Sequence, residues 1–195
     1  MSDNAALGEK MPFVDGHEMA TWHRSDRMTK IKWRLDGKRA LVTGGTKGIG
    51  LAIADEMLAL GGEVLIAARD AAGVENCVAA WQEKGRHGDG VAADISDARG
   101  RETIFKVLAD KWDGLDILVN NVGTNIRKKV LEFTVDEFQT VMNTNLNTAF
   151  YMSRGAYAML KRSGDASVVN IASVAGLNHM RTGAPYGMSK AAMVQ

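Results

Sequence analysis

The 195-residue sequence contains one cysteine, two prolines and only 6% aromatic residues. A lone Cys77 cannot close an internal disulfide, so cysteine usage gives no sign of an oxidising compartment, and a cytoplasmic setting is expected. No stretch approaches the ~18 consecutive apolar residues of a transmembrane helix, and the N-terminus has no apolar run of signal-peptide length, so no membrane partner is expected. Charge of one sign is not in excess either. Lys and Arg number 24 against 23 Asp and Glu, which leaves no net-charge footprint for nucleic acid or an anionic membrane. At 46% hydrophobic and 24% charged, the composition excludes a disordered or collagen-like chain, and the length suits one domain.

Residues 1–34 show no sustained period and mix acidic with basic residues, so they read as a flexible N-terminal extension; their acids argue against an organelle transit peptide. His17-Glu18 followed by His23 has the wrong spacing for a zinc-protease helix, because residues six apart point about 240° apart. From residue 39 short β-rich runs alternate with helical patterns, the signature of βαβ units. Strands are predicted at Arg39–Thr43, Glu63–Ala67, Gly90–Ala93, Asp116–Asn120 and Ser167–Ile171. Ile49, Ile53, Met57 and Leu60 form a predicted apolar helix stripe that Gly61-Gly62 terminates. Ser96 is a predicted cap for a helix running to about Trp112, and Thr134 to Glu137 has the spacing of a capping box opening a long helix toward Lys161. Residues 35–195 are therefore read as a single doubly wound α/β unit with a parallel sheet, a Rossmann fold.

Thr43-Gly44-Gly45-Thr46-Lys47-Gly48-Ile49-Gly50 lies between the first strand and the first helix. There, backbone N–H groups and the helix N-terminus can receive a pyrophosphate, and glycines clear the approach. A bare G-x-x-x-G-x-G arises by chance about 0.2 times in a chain of this glycine content, so the strand–turn–helix context carries the dinucleotide reading. A Walker loop is excluded because Lys47 precedes Gly48 and Ile49 follows it. At the end of the second strand, where an acid would bind a ribose 2′-hydroxyl, the chain has Ala67-Ala68-Arg69. Arg69 and Lys47 both suit a 2′-phosphate, which favours NADP(H) over NAD(H).

Tyr186-Gly187-Met188-Ser189-Lys190 places a phenol and an ammonium four residues apart, on one face of a helix opening near Pro185. A neighbouring ammonium favours phenolate, which suits proton transfer in carbonyl–alcohol interconversion. Alone the pair is weak evidence, since about 0.2 such pairs arise by composition. Cys77 reads as packing, and Arg127-Lys128-Lys129 as a solvated loop face rather than an anionic-substrate clamp. His179 and Arg181 are left without an assigned role.

Taken together, Thr43-Gly44-x-x-x-Gly48-x-Gly50, Asn120-Asn121-Val122-Gly123, Ser173 thirteen residues before the tyrosine, and Tyr186-x-x-x-Lys190 make residues 35–195 resemble the short-chain dehydrogenase/reductase family, most closely its tropinone-reductase-like members. Valine at 122 stands where the family usually has alanine. The resemblance implies that Ser173 hydrogen-bonds a substrate carbonyl, Tyr186 donates its proton, and Lys190 lowers the tyrosine pKa and holds the nicotinamide ribose. It also implies that Asn145 holds a water at a helix distortion, that Asp94-Ile95 forms an adenine pocket, and that Asn121 with Gly123 forms the cofactor-side wall. The implied partners are a small carbonyl or alcohol substrate and, if the full-length protein is longer, further copies of itself; no metal is called for.

Family members continue well beyond the lysine into further strands and a substrate-covering loop, so the sheet is expected to lack its C-terminal strands and to expose an edge and apolar faces. Two functions stay open. One is an NADP(H)-dependent oxidoreductase interconverting a ketone and a secondary alcohol; the other is a non-catalytic dinucleotide-binding or subunit-interaction module.

Overall fold

The computed structural model describes residues 33–195. The readings for residues 1–32, including the His17 and His23 spacing, lie outside the described residues. Five strands, β1 (Arg39–Thr43), β2 (Glu63–Ala68), β3 (Gly88–Ala92), β4 (Ile117–Asn120) and β5 (Ser167–Asn170), pair in parallel as one open sheet in the order β3-β2-β1-β4-β5. This is the doubly wound arrangement expected from the alternating pattern. Leu41 of β1 sits opposite Leu65 of β2 and Leu118 of β4.

The two-residue period of a strand sends neighbours to opposite faces, so the central apolar runs feed two cores. Leu41, Leu65, Ala67 and Leu118 pack on one face with Ile104 and Leu108 of α3 (Ala98–Lys111) and Met152 and Ala156 of α5 (Thr148–Ser163). Ala40, Val42, Val64, Ile66 and Val119 pack on the other with Ala54 and Leu58 of α1 (Gly48–Ala59) and Trp81 of α2 (Ala71–Gln82). Fully burying one such leucine or isoleucine contributes roughly 1.5–3 kcal/mol, which is why uninterrupted apolar runs mark the middle of the sheet.

Several expectations shift. In α1 the buried line is Gly50, Ala54 and Leu58; Ile53 and Met57 flank it half-buried, and Ile49 is exposed. The helix presses its small residues to the sheet because Gly50 abuts the preceding loop, and this rotates Ile49 outward. The stop is as expected: Gly61, at φ 91°, donates to the Leu58 carbonyl at 3.2 Å and Gly62 to that of Met57 at 3.0 Å, the paired bonds of a Schellman motif.

β3 begins two residues earlier than predicted. A Cβ on Gly88 would lie 2.3 Å from the Trp81 ring, so glycine, a poor strand former, is required there by packing. Ser96 does not cap α3, whose N-cap position is Asp97. Instead Ser96 turns back to Asp94, donating from its hydroxyl at 2.7 Å and its N–H at 2.9 Å.

Thr134 does form the capping box: its hydroxyl accepts from the Glu137 N–H at 3.1 Å, and the Glu137 carboxylate accepts from the Thr134 N–H at 3.0 Å. The helix it opens is not one uniform rod. α4 (Val135–Met142) passes into a π turn at Asn143–Asn147 and then into α5, which ends beside Gly164 at φ 78°. The last helix, α6 (Ala184–Val194), has proline in its first turn, a position whose missing N–H leaves no intrahelical bond unmade.

Candidate active site

The parallel sheet gathers the C-terminal ends of its strands along one edge, and ligand sites in such folds lie outside those ends. At the end of β1 the chain turns through Gly44 at φ 68° into α1. A Cβ on Gly50 would fall 2.3 Å from the Gly44 carbonyl oxygen, so only glycine lets the helix start so close to the loop. Thr43 is buried. Its hydroxyl donates to the Val119 carbonyl at 3.0 Å and accepts from the Asn121 N–H at 3.0 Å, and the Asn121 amide in turn donates to the Thr43 and Gly44 carbonyls at 2.9 and 3.1 Å. This network locks the ends of β1 and β4 together beneath the loop.

Above it lies a cleft of about 590 Å³, lined by Gly44, Thr46, Lys47 and Ile49, by Arg69 after β2, by Asp94 and Ile95 after β3, and by Asn121 and Gly123 after β4. Of the residues predicted to meet a cofactor, Thr43, Gly48, Gly50, Tyr186 and Lys190 do not line it: Thr43 and Gly50 are buried supports, Gly48 is the exposed first residue of α1 at φ 57°, and Tyr186 and Lys190 line the neighbouring cleft. The glycine cradle and a backbone-lined loop at a helix N-terminus fit a dinucleotide pyrophosphate.

Arg69 stands at the far end, 80% exposed and 3.8 Å from Asp94. Desolvation by burial pushes the Asp94 carboxyl up, but hydrogen bonds from the Ser96 hydroxyl and N–H, with Arg69 nearby, outweigh it and hold the group below the usual carboxylate range. A loose pair this exposed adds little stability, so Arg69 is free to turn toward an incoming anion.

A second cleft, of about 600 Å³, shares Ile49, Asn121, Gly123 and Thr124 with the first. It brings together Ser173, Tyr186 and Lys190 from the segment after β5 and from α6. The Ser173 hydroxyl accepts from the Ala175 N–H at 3.2 Å, which leaves its proton for another acceptor. Lys190 is buried, donates to the Ile171 carbonyl at 2.6 Å, and lies 5.9 Å from the Tyr186 ring centre. Burial pushes its ammonium below the ordinary lysine value.

Asn145 lies in the π turn, fully buried and outside both cleft walls. Its amide donates to the Thr124 carbonyl at 3.0 Å and the Ser189 hydroxyl at 2.9 Å, and its oxygen accepts from the Thr124 N–H at 2.7 Å. With both amide protons committed, the side chain acts as a brace between the loop after β4 and the helix carrying Tyr186 and Lys190.

This arrangement of a glycine-lined loop, an adjoining cleft and a Ser–Tyr–Lys set coincides with a match of residues 38–195 to the family profile described as short chain dehydrogenase. The chain belongs to the short-chain dehydrogenase family. Within that family it is tropinone-reductase-like. Two tropinone reductase homologs of Arabidopsis thaliana, one of them described as chloroplastic, are 43% and 41% identical to it over 168 residues, 86% of this chain. The chain spans 52% and 64% of the length of those two relatives. The Pseudomonas aeruginosa RhlG/NADP active-site complex superposes with a TM-score of 0.76 at 36% identity, covering 83% of this chain and 65% of that one.

Some residues around these clefts escaped sequence reasoning. Ser189 is fully buried, receives the Asn145 amide and donates to the Tyr186 carbonyl at 2.7 Å; inside Tyr-x-x-x-Lys it had no signal beyond being small and polar. Thr124 and the Ile171 carbonyl act through backbone atoms, which residue type does not disclose. The cation run divides in three. Lys129 is exposed, Lys128 is ion-paired with Glu137 while its side chain stays 39% exposed, and Arg127, also exposed, lines the second cleft.

Cys77 is half-buried beside the α1–α2 core. Burial, with the Asp55 carboxylate adding to it, pushes its thiol up, which disfavours thiolate chemistry. Among the described residues no helix is long and apolar enough to cross a membrane.

Proposed function

We propose that this chain carries the catalytic part of an NADP(H)-dependent oxidoreductase that interconverts a ketone and a secondary alcohol. The observation that carries the reading is the placement of Ser173, Tyr186 and Lys190 in one cleft that opens into the glycine-lined cleft. When bound, a nicotinamide dinucleotide supplies hydride to the carbonyl carbon.

The chain's own groups serve the oxygen. Ser173, its oxygen already satisfied from the Ala175 N–H, donates its proton in a hydrogen bond to the carbonyl. Tyr186 transfers its phenolic proton as negative charge develops there. Lys190 is anchored by the Ile171 carbonyl and retains donor capacity for the ribose hydroxyls, while its positive charge favours departure of the tyrosine proton. Asn145 positions this helix against the Thr124 loop rather than touching the reacting atoms.

Arg69 and Lys47, both on the first cleft, support NADP(H) over NAD(H), because each offers a cation to a 2′-phosphate. Residues 35–195 form the dinucleotide-binding domain in this reading, and the single half-buried Cys77 suits a reducing, cytosol-like compartment.

The test is NADPH binding and ketone-dependent NADPH oxidation by the 195-residue protein beside Tyr186→Phe. Tyr186→Phe is expected to lower turnover at least about 100-fold, the scale of a lost general acid, with NADPH affinity nearly unchanged. Equal turnover in both proteins would remove the tyrosine from its role. Binding without oxidation in the unsubstituted chain would select the non-catalytic dinucleotide module instead.

A further inference from the structure

The second cleft has an unusual charge balance. Its lining includes the cations Arg127 and Lys190 with His179, and no aspartate or glutamate. Apolar side chains, among them Ile49, Val174 and Met180, make up much of the remaining wall. Lys190 donates one N–H to the Ile171 carbonyl, and its remaining donors are assigned to the nicotinamide ribose in the proposed reading. Arg127 differs from its neighbours: Lys128 is neutralised by Glu137, whereas among the described residues no carboxylate lies within ion-pair distance of Arg127. Arg127 is thus an exposed cation on the wall of a concave, partly apolar space, with five N–H donors on a planar fork.

The backbone around Arg127 is also held in place relative to the proton donor. Gly183, three residues before Tyr186, donates its N–H to the Lys128 carbonyl at 3.0 Å. Gly183 is in the left-handed region at φ 72°, and a Cβ there would lie 2.8 Å from Asn125 Oδ1. The loop after β4 is thus held at Lys128, next to Arg127, to the turn that opens α6, with Asn125 close against the same turn. A guanidinium with no carboxylate partner among the described residues, on a loop tied to the helix carrying Tyr186, can offer an anion a charge-assisted bidentate contact.

We infer that Arg127 binds a carboxylate carried by the substrate, so that the site selects oxo acids over neutral ketones. The inference rests on the carbonyl-reducing reading of the same cleft and names its substrate class. The carboxylate is a handle only; the carbonyl remains the group reduced. His179, from the segment between Ser173 and Tyr186, supplies a second polar contact on the same cleft.

The experiment compares binding of 4-oxopentanoate and 5-oxohexanoate with that of their methyl esters, by calorimetry or ligand-observed NMR in the presence of NADPH. It uses the 195-residue chain, Arg127→Gln and Arg127→Lys, with NADPH oxidation followed in parallel. The acids are expected to bind about tenfold or more tightly than their esters, the range of a charge-assisted bidentate contact. Arg127→Gln should erase that advantage and Arg127→Lys restore part of it, with urea midpoints unchanged because Arg127 is exposed.

Equal binding of acid and ester, an acid preference that survives Arg127→Gln, or no binding of either acid at millimolar concentration would each overturn the inference. An Arg127-dependent acid preference without NADPH oxidation would uphold the anion site and refute the reductase reading. Reduction of neutral ketones with no acid preference would do the reverse.

Discussion

At the scale of single residues, Lys190 and Arg69 show opposite uses of a cation. Lys190 is buried, so desolvation lowers its pKa from the ordinary value, and holding it charged at neutral pH costs stability. The 2.6 Å bond to the Ile171 carbonyl offsets part of that cost. Arg69 is 80% exposed in a loose 3.8 Å pair with Asp94, and removing it disturbs little of the fold. Arg69→Gln is therefore expected to weaken NADPH binding by roughly tenfold, the scale of a lost charge-assisted contact, while NADH binding changes far less. Titrating both cofactors against both proteins decides it, and equal losses would remove Arg69 from the 2′-phosphate. Spacing alone located Arg69, because it follows directly on a β-rich run. Ser189 was illegible by the same means, since its partners lie on α6 and on a π turn forty-four residues away.

Elements add a second level of constraint. Thr134 and Glu137 announced the start of α4 because a capping box is a local code, four residues satisfying their own N–H groups. Thr134 is exposed and otherwise uncommitted, so Thr134→Ala isolates the cap. It is expected to cost about 1 kcal/mol, read as a lower urea midpoint at unchanged m-value; an unaltered midpoint would show that packing alone holds the helix start. The π turn at Asn143–Asn147 was not legible from periodicity, which predicted an unbroken helix toward Lys161. It came into view only through family resemblance. Its physical support is tertiary: Asn145 is held by Thr124 and Ser189, and one extra residue in the helical register lets its side chain turn to both. π turns frequently occur at functional positions for this kind of reason. The apolar stripe of α1 holds for Ile53 and Met57, which pack against the core, but not for Ile49, which is exposed, because the close approach of Gly50 to the Gly44 carbonyl helps set which face meets the sheet.

Across the whole molecule, β5 is the element least served by its surroundings. Among the described residues it pairs only with β4, and Val168 and Val169 are 46% and 41% exposed although their strand reads as a buried one. An open parallel edge with apolar side chains invites pairing with another chain. The 195-residue chain on its own is expected to self-associate as concentration rises, and Val169→Lys to shift it toward monomer. Sedimentation velocity measures both, and a monomer at all concentrations would show that the edge is protected. The exposed edge also lies next to the site, since Ile171, whose carbonyl anchors Lys190, follows β5 directly.

The sequence by itself determined the doubly wound parallel fold, the glycine loop between a strand and a helix, and the Tyr–Lys spacing. Each of these is written in short-range periodicity or in a turn whose geometry needs particular residues. Only the tertiary structure decided which loop residues share a cleft, that Thr43 and Gly50 support rather than line it, that Asn145 braces the Thr124 loop against α6, and that Arg127 lines the cleft that also holds Tyr186. Those outcomes depend on strand order β3-β2-β1-β4-β5. That order sets the ends of β1 and β4 side by side and brings the loop after β4 against α6, a proximity between segments distant in the chain that no local pattern encodes.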